Sequence, residues 1–222
     1  MRLHLPFGIR TNERYLSTVS KDEYHELMLY ATERKIRLEG FKRFSGNIQL
    51  IKEFIDNICI VAQDFPKMLS GKKSVIIRLD EYSPEDDFTT TDYHLISINA
   101  KLFSNKDYLE KEYKMLADDG KFVKGTDFRS IAWHEAGHVV ANIYGISPMK
   151  IAKQIMPECN ASEIIIYIKQ YISLYAADYE DGREFISECF SAYYSGADIS
   201  FANQYVLLCK EFVKEEPIYD KK

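Results

Sequence analysis

The sequence predicts an α+β fold, with a small mixed sheet set between two groups of helices. Two short runs, Ser74–Leu79 and His94–Ala100, carry strand signals: the first is rich in β-branched residues, and the second alternates Leu95, Ser97, Asn99 against Ile96, Ile98, Ala100. On either side of them the apolar residues recur at helical spacing. Strands gathered in one stretch, between helical runs, indicate α+β rather than repeating βαβ units.

Taken in order, Lys21 to Glu39 places Tyr24, Leu27, Met28, Ala31 and Leu38 at helical intervals, with Gly40 as the stop. Asn47 caps a second helix that buries Ile48, Ile51, Phe54, Ile55, Ile58 and Val61, and Pro66 follows its end. After the first strand, Glu81–Thr91 is acidic and polar and reads as a loop. A helix over Lys106–Ala117 follows the second strand, then a turn at Asp119-Gly120-Lys121. Asp127 caps a helix running to Tyr144, which Gly145 stops. Ser147-Pro148 begins another. Helical patterns then cover Glu163–Tyr171, Arg183–Ser195 and Ile199–Lys214. Residues 1–70 read as a helical support region and 71–222 as the chemistry-bearing domain, the two together forming one unit or a pair.

Bulk properties narrow the function classes. The 222 residues are 46% hydrophobic and 28% charged, as in ordinary globular chains. The net charge of −5 is spread without a basic block, so no nucleic-acid partner is expected. No apolar run approaches the roughly 20 residues of a membrane span. Met1–Gly8 lacks the apolar core of a signal peptide. The cysteines, Cys59, Cys159, Cys189 and Cys209, form no C-x-x-C pair and sit in apolar stretches, so buried free thiols and a reducing, cytoplasmic setting are expected.

The informative segment is Ile131-Ala132-Trp133-His134-Glu135-Ala136-Gly137-His138-Val139-Val140. It lies in mid-helix, so His134 and His138, at i and i+4, leave the same face and can share one tetrahedral ion. Glu135 sits one step round, within reach of a water on that ion. A later helix carries two acids at i and i+4, Glu184 and Glu188, among apolar and small residues. Buried carboxylates are costly unless paired or bound to a metal, so one is expected as a ligand and the other as a brace for a ligand imidazole. Three protein ligands and an open position mark a catalytic rather than a structural zinc.

The His-Glu-x-x-His helix and the later Glu184-Phe185-Ile186-Ser187-Glu188 helix together resemble a gluzincin metalloprotease, most closely the anthrax lethal factor type, which includes zincin domains of phages and mobile elements. The interval from His138 to Glu184 suits this type and not the shorter one of aminopeptidase gluzincins. The resemblance implies a zincin-like catalytic domain with one zinc ion held by His134, His138 and Glu184. It implies Glu188 as the acid behind a ligand and Glu135 as general base. Ser173-Leu174-Tyr175-Ala176 resembles the family's Ser-x-Tyr run and implies Tyr175 as oxyanion donor, with Tyr179 as the alternative. It further implies a peptide or protein substrate lying extended along the His94–Ala100 strand as the sheet edge, near His94, with the acidic Asp80–Asp92 loop as a rim that favours basic residues. A phage- or mobile-element-associated setting fits the same resemblance. The competing expectations are a zincin-fold module that keeps the metal but serves a structural role, as in a phage head or toxin assembly, and hydrolysis of a non-peptide amide.

Overall fold

Local sequence rules set most of the architecture seen in a computed structural model of the chain, which describes residues 19–81, 88–177 and 182–215. Ser20 and Glu23 form a reciprocal capping box that starts α1 (Lys21–Glu33). The helix ends six residues earlier than the apolar spacing suggested, because Lys35 adopts a left-handed backbone at φ 58°. The chain then turns into β1 (Arg37–Glu39), a strand where a helix end was expected. The Asn47 side chain accepts from the Gln49 amide at 2.8 Å and opens α2 (Ile48–Asp64), as expected. α1 is tied to α2 by Asp56, which accepts from Tyr30 Oη at 2.6 Å and Arg34 Nε at 2.9 Å.

β2 (Ile76–Asp80) and β4 (Leu95–Asn99) fall on the two expected strands. β3 (Thr89–Asp92) lies where a loop was expected. The sheet order is β1-β2-β4-β3, with parallel β1–β2 and β2–β4 pairs and an antiparallel β3–β4 pair. This overturns the placing of the sheet edge. Among the described residues β4 is an inner strand, and β3 and β1 are the edges. Because β1 belongs to the sheet, a boundary drawn at residue 70 runs through continuous pairing.

Helices α3 (Ala100–Phe103), α4 (Lys106–Asp118), α5 (Ser130–Tyr144), α6 (Pro148–Ile155), α7 (Ala161–Tyr171), α8 (Arg183–Ser195) and α9 (Ser200–Glu215) complete the described residues, with a 3-10 turn at Tyr175–Ala177. Gly145 closes α5 at φ 65°. α5 is the axis of the molecule. Every side chain from Ser130 to Val140 is buried, because α2 packs on one side, α8 on another and β3 along a third. α8 is almost as enclosed, with Glu184 to Ala192 buried. The two helices meet at Gly137, where a Cβ would lie 2.8 Å from Ser187 Cα and 3.2 Å from Phe190 Cβ. Only a glycine admits so close a crossing. Phe65 seals the far end, with its ring 5.3 Å from Phe190 and 5.9 Å from Tyr144.

All four cysteines are free. Cys189 and Cys209 are buried as expected, whereas Cys59 and Cys159 are partly exposed. Among the described residues no helix is long and apolar enough to cross a membrane. Met1–Gly8, Tyr179 and residues 82–87 of the expected acidic rim lie outside the described residues.

Candidate metal centre

The close α5–α8 crossing brings two pairs of side chains face to face. His134 and His138 project from α5, and Glu184 and Glu188 from α8; in each pair the first lies three residues before the Gly137–Ser187 contact and the second one residue after it. His134 Nε2 lies 3.1 Å from Glu184 Oε2, and His138 Nε2 lies 3.4 Å from Glu184 Oε1. The donor atoms of all three residues fall within 4.8 Å of one another. A tetrahedral ion with ligands at about 2.1 Å sets neighbouring donors about 3.4 Å apart, so the spacing fits a single small divalent cation.

Glu184 is fully buried, and its oxygens face the two Nε2 atoms and the Tyr175 phenol. A buried carboxylate there costs several kcal/mol unless positive charge compensates it, which the raised pKa of His134 supplies in the absence of an ion. Glu188 is 1% exposed and differs in kind. Its Oε1 is 2.8 Å from His134 Nδ1, and its Oε2 accepts from the Val123 amide at 3.1 Å. With Nδ1–H given to Glu188, Nε2 is the His134 nitrogen left to ligate an ion between Glu184 and His138. The two acids of the Glu-x-x-x-Glu helix are therefore already sorted, one facing both Nε2 atoms and one holding the His134 imidazole from behind.

Charge distribution follows from this packing. Burial disfavours the His134 imidazolium, but the Glu184 and Glu188 carboxylates outweigh it and raise its pKa to about 10. Burial likewise opposes the Glu184 carboxylate, and His138 and His134 outweigh it to hold that group well below the usual carboxylate range.

Tyr175 enters from the 3-10 turn. Its backbone N–H donates to Lys121 O at 3.1 Å, beside the Leu174 N–H to Gly120 O bond at 2.9 Å. Its ring lies 5.9 Å from that of His134. Burial, and then the negative charges of Glu184, Glu135 and Glu188, push its phenol far above the ordinary 10.0. The hydroxyl keeps its proton and remains a donor. Phe122 supports it edge-on at 5.9 Å and stacks on Tyr113 at 5.0 Å.

No protein-family model, curated protein or solved structure matches the chain. His134, Glu135, His138, Tyr175, Glu184 and Glu188 all converge on one place. His94 does not join them in any described contact. It sits in the β3–β4 turn, edge-on to Tyr93 at 5.4 Å, with Nδ1 buried and unpartnered.

Four contributors carry no motif. Gly137 sets the crossing, and Val123 supplies the amide behind Glu188. Thr89 and Thr91 hold Glu135: Thr89 Oγ1 donates to Glu135 Oε1 at 2.5 Å, and Thr91 Oγ1 donates to Oε2. Further along α5, Asn142 Nδ2 donates to Tyr93 O at 3.2 Å, so β3 is fixed alongside the metal helix at both ends. The run Phe88-Thr89-Thr90-Thr91 is β-branched, and that signal was available in the sequence.

Proposed function

We propose that the chain is a zinc-dependent endopeptidase of the gluzincin type. In this reading His134, His138 and Glu184 hold one zinc ion, Glu135 is the general base and Tyr175 the oxyanion donor. The observation that carries it is Glu184, a fully buried carboxylate whose oxygens face two imidazole nitrogens at 3.1 and 3.4 Å. Two imidazoles and one carboxylate suit zinc. The mixed sheet, with its edge strand β3 running along α5, supports a zincin-like domain.

When bound, zinc polarises the scissile carbonyl and lowers the pKa of a coordinated water towards 7. Glu135 accepts that water's proton and returns it to the leaving amine. The carboxylate is dispensable for holding the ion, so its presence beside the ligands favours catalysis over a purely structural module. Tyr175, held protonated, donates to the oxygen that gains charge as the carbonyl becomes tetrahedral. Glu188 keeps His134 in the tautomer that ligates.

β3 also offers a docking line. Asn99 N donates to Phe88 O at 3.0 Å, which makes that pair hydrogen-bonded and, by antiparallel alternation, leaves the main-chain groups of Thr89 and Thr91 pointing away from β4. An extended peptide would add there as a further strand.

The test is metal analysis with a proteome-derived peptide cleavage screen, run on the wild type and Glu135→Gln. The expected result is one zinc per chain in both proteins, with cleavage lowered at least a hundredfold in the variant. Equal cleavage by the variant refutes the mechanism. A wild type that holds one zinc and cleaves no peptide removes the peptidase reading in favour of a structural module.

A further inference from the structure

Glu135 is buried, and a carboxylate has about four lone-pair sites, of which a general base needs one free and aimed at the water. Two of the four are taken here by hydroxyls from one strand. Thr89 and Thr91 stand at i and i+2 on β3, so both side chains face α5, and each engages a different oxygen of Glu135. Thr89 is 2% exposed, and Thr91 is half-buried. The strand that carries them is itself pinned, by its pairing with β4 and by the Asn142–Tyr93 bond.

We propose that Thr89 and Thr91 are positioning residues for the proposed hydrolysis, clamping the Glu135 carboxylate so that its free lone pairs face the metal. The inference rests on the proposed reading for the zinc, for Glu135 as general base and for the substrate. Two donors on the same strand fix both the rotation and the tilt of the carboxyl plane, which one donor does not. The clamp also joins the base to the docking edge. The backbone of Thr89 and Thr91 faces outward, where an extended peptide pairs, and their hydroxyls face inward, where they hold the base. A substrate strand that draws β3 into register thereby acts on the group that activates the water.

A hydroxamate provides a readout free of turnover, because it chelates zinc through two oxygens and presents a proton to the adjacent base. Acetohydroxamate binding is measured by calorimetry on the zinc-loaded full chain, alongside kcat and KM on any cleaved peptide. Wild type is compared with Thr89→Val, Thr91→Val, the corresponding serine variants and Glu135→Gln. Each variant's zinc content and melting temperature are recorded. The expected result is that both valine variants keep one zinc, weaken hydroxamate binding about tenfold towards the Glu135→Gln level, and lower kcat by about tenfold or more with KM little changed. The serine variants, which retain the hydroxyl, recover to within about threefold. Hydroxamate affinity within about twofold of wild type in both zinc-loaded valine variants overturns the clamp and leaves the threonines a purely structural part. Thr91 is half-buried, so its variant decides the matter should Thr89→Val not fold. A wild type that binds hydroxamate but cleaves no peptide refutes the peptidase reading alone, and the hydroxamate comparison still judges the clamp.

Discussion

Replacing Gly137 with alanine tests whether the α5–α8 crossing builds the centre. The added methyl lies 2.8 Å from Ser187 Cα and 3.2 Å from Phe190 Cβ, where ordinary contact begins at 3.4 Å. The helices must part by about 0.6 Å at this point, since neither obstacle is the free end of a flexible side chain. Overpacking of this kind costs about 1–3 kcal/mol, against which alanine's better helix propensity recovers about 1 kcal/mol. The net loss is roughly 0–2 kcal/mol, or up to about 8 °C in melting temperature for a chain of this size. The effect on the metal is larger. His134 and His138 flank the contact on one helix, and Glu184 stands one turn from it on the other. A 0.6 Å separation exceeds the ~0.2 Å tolerance of a coordination bond, so zinc affinity should fall at least tenfold. Competition with a chromogenic chelator measures the affinity, and a thermal melt of the metal-free chain measures the stability. Ile143→Val, elsewhere on α5, supplies a control that loses about 1 kcal/mol without touching the ligands. A Gly137→Ala protein with zinc affinity within about twofold of wild type and an unchanged melting temperature would show that the two helices do not meet as described.

Other outcomes follow from the same geometry. Glu188→Gln leaves the ligand count intact but weakens its hold on His134 Nδ1, and zinc affinity should drop about 10–100-fold, as read by the same competition assay. Tyr175→Phe should keep one zinc per chain while lowering kcat about 100-fold in a steady-state peptide assay, because the proposed oxyanion loses its donor. Zinc uptake at pH 7 should release a proton from His134, whose pKa is raised to about 10, so calorimetric heats should vary with buffer ionisation enthalpy and affinity should climb as pH rises towards 10. The same raised pKa adds stability to the metal-free chain that is complete below the ordinary value of 6.5 and is lost as pH rises through about 10, which melts at pH 6 and pH 10 will check.

The metal centre was far more legible in the sequence than the strands around it. His134, Glu135, His138 and the acids of α8 announce themselves by residue type and helical spacing, and the bounds of α8 match the pattern at both ends. β1 was hidden because Leu38 extends the apolar spacing of α1, and the break at Lys35 uses a left-handed conformation at a residue that gives no warning of it. β3 was hidden for a different reason. Its buried face is threonine turned towards a carboxylate, so the apolar alternation that marks a half-buried strand is missing, and acidic residues precede it in the chain. That omission moved the sheet edge from β3 to β4. Nothing in the sequence marked Gly137, since a helix pattern says nothing about what lies across from it.

The enclosure of α5 bears on how this chain would behave with the proposed site empty. Amides of a helix wrapped by α2, α8 and β3 exchange with solvent only when the whole domain opens. The imidazolium of His134, bracketed by Glu184 and Glu188, supplies the positive charge that an absent cation would have provided. On the proposed reading, the metal-free chain stays folded as a dormant pool, and the supply of metal, not a round of refolding, would set how much of it is armed.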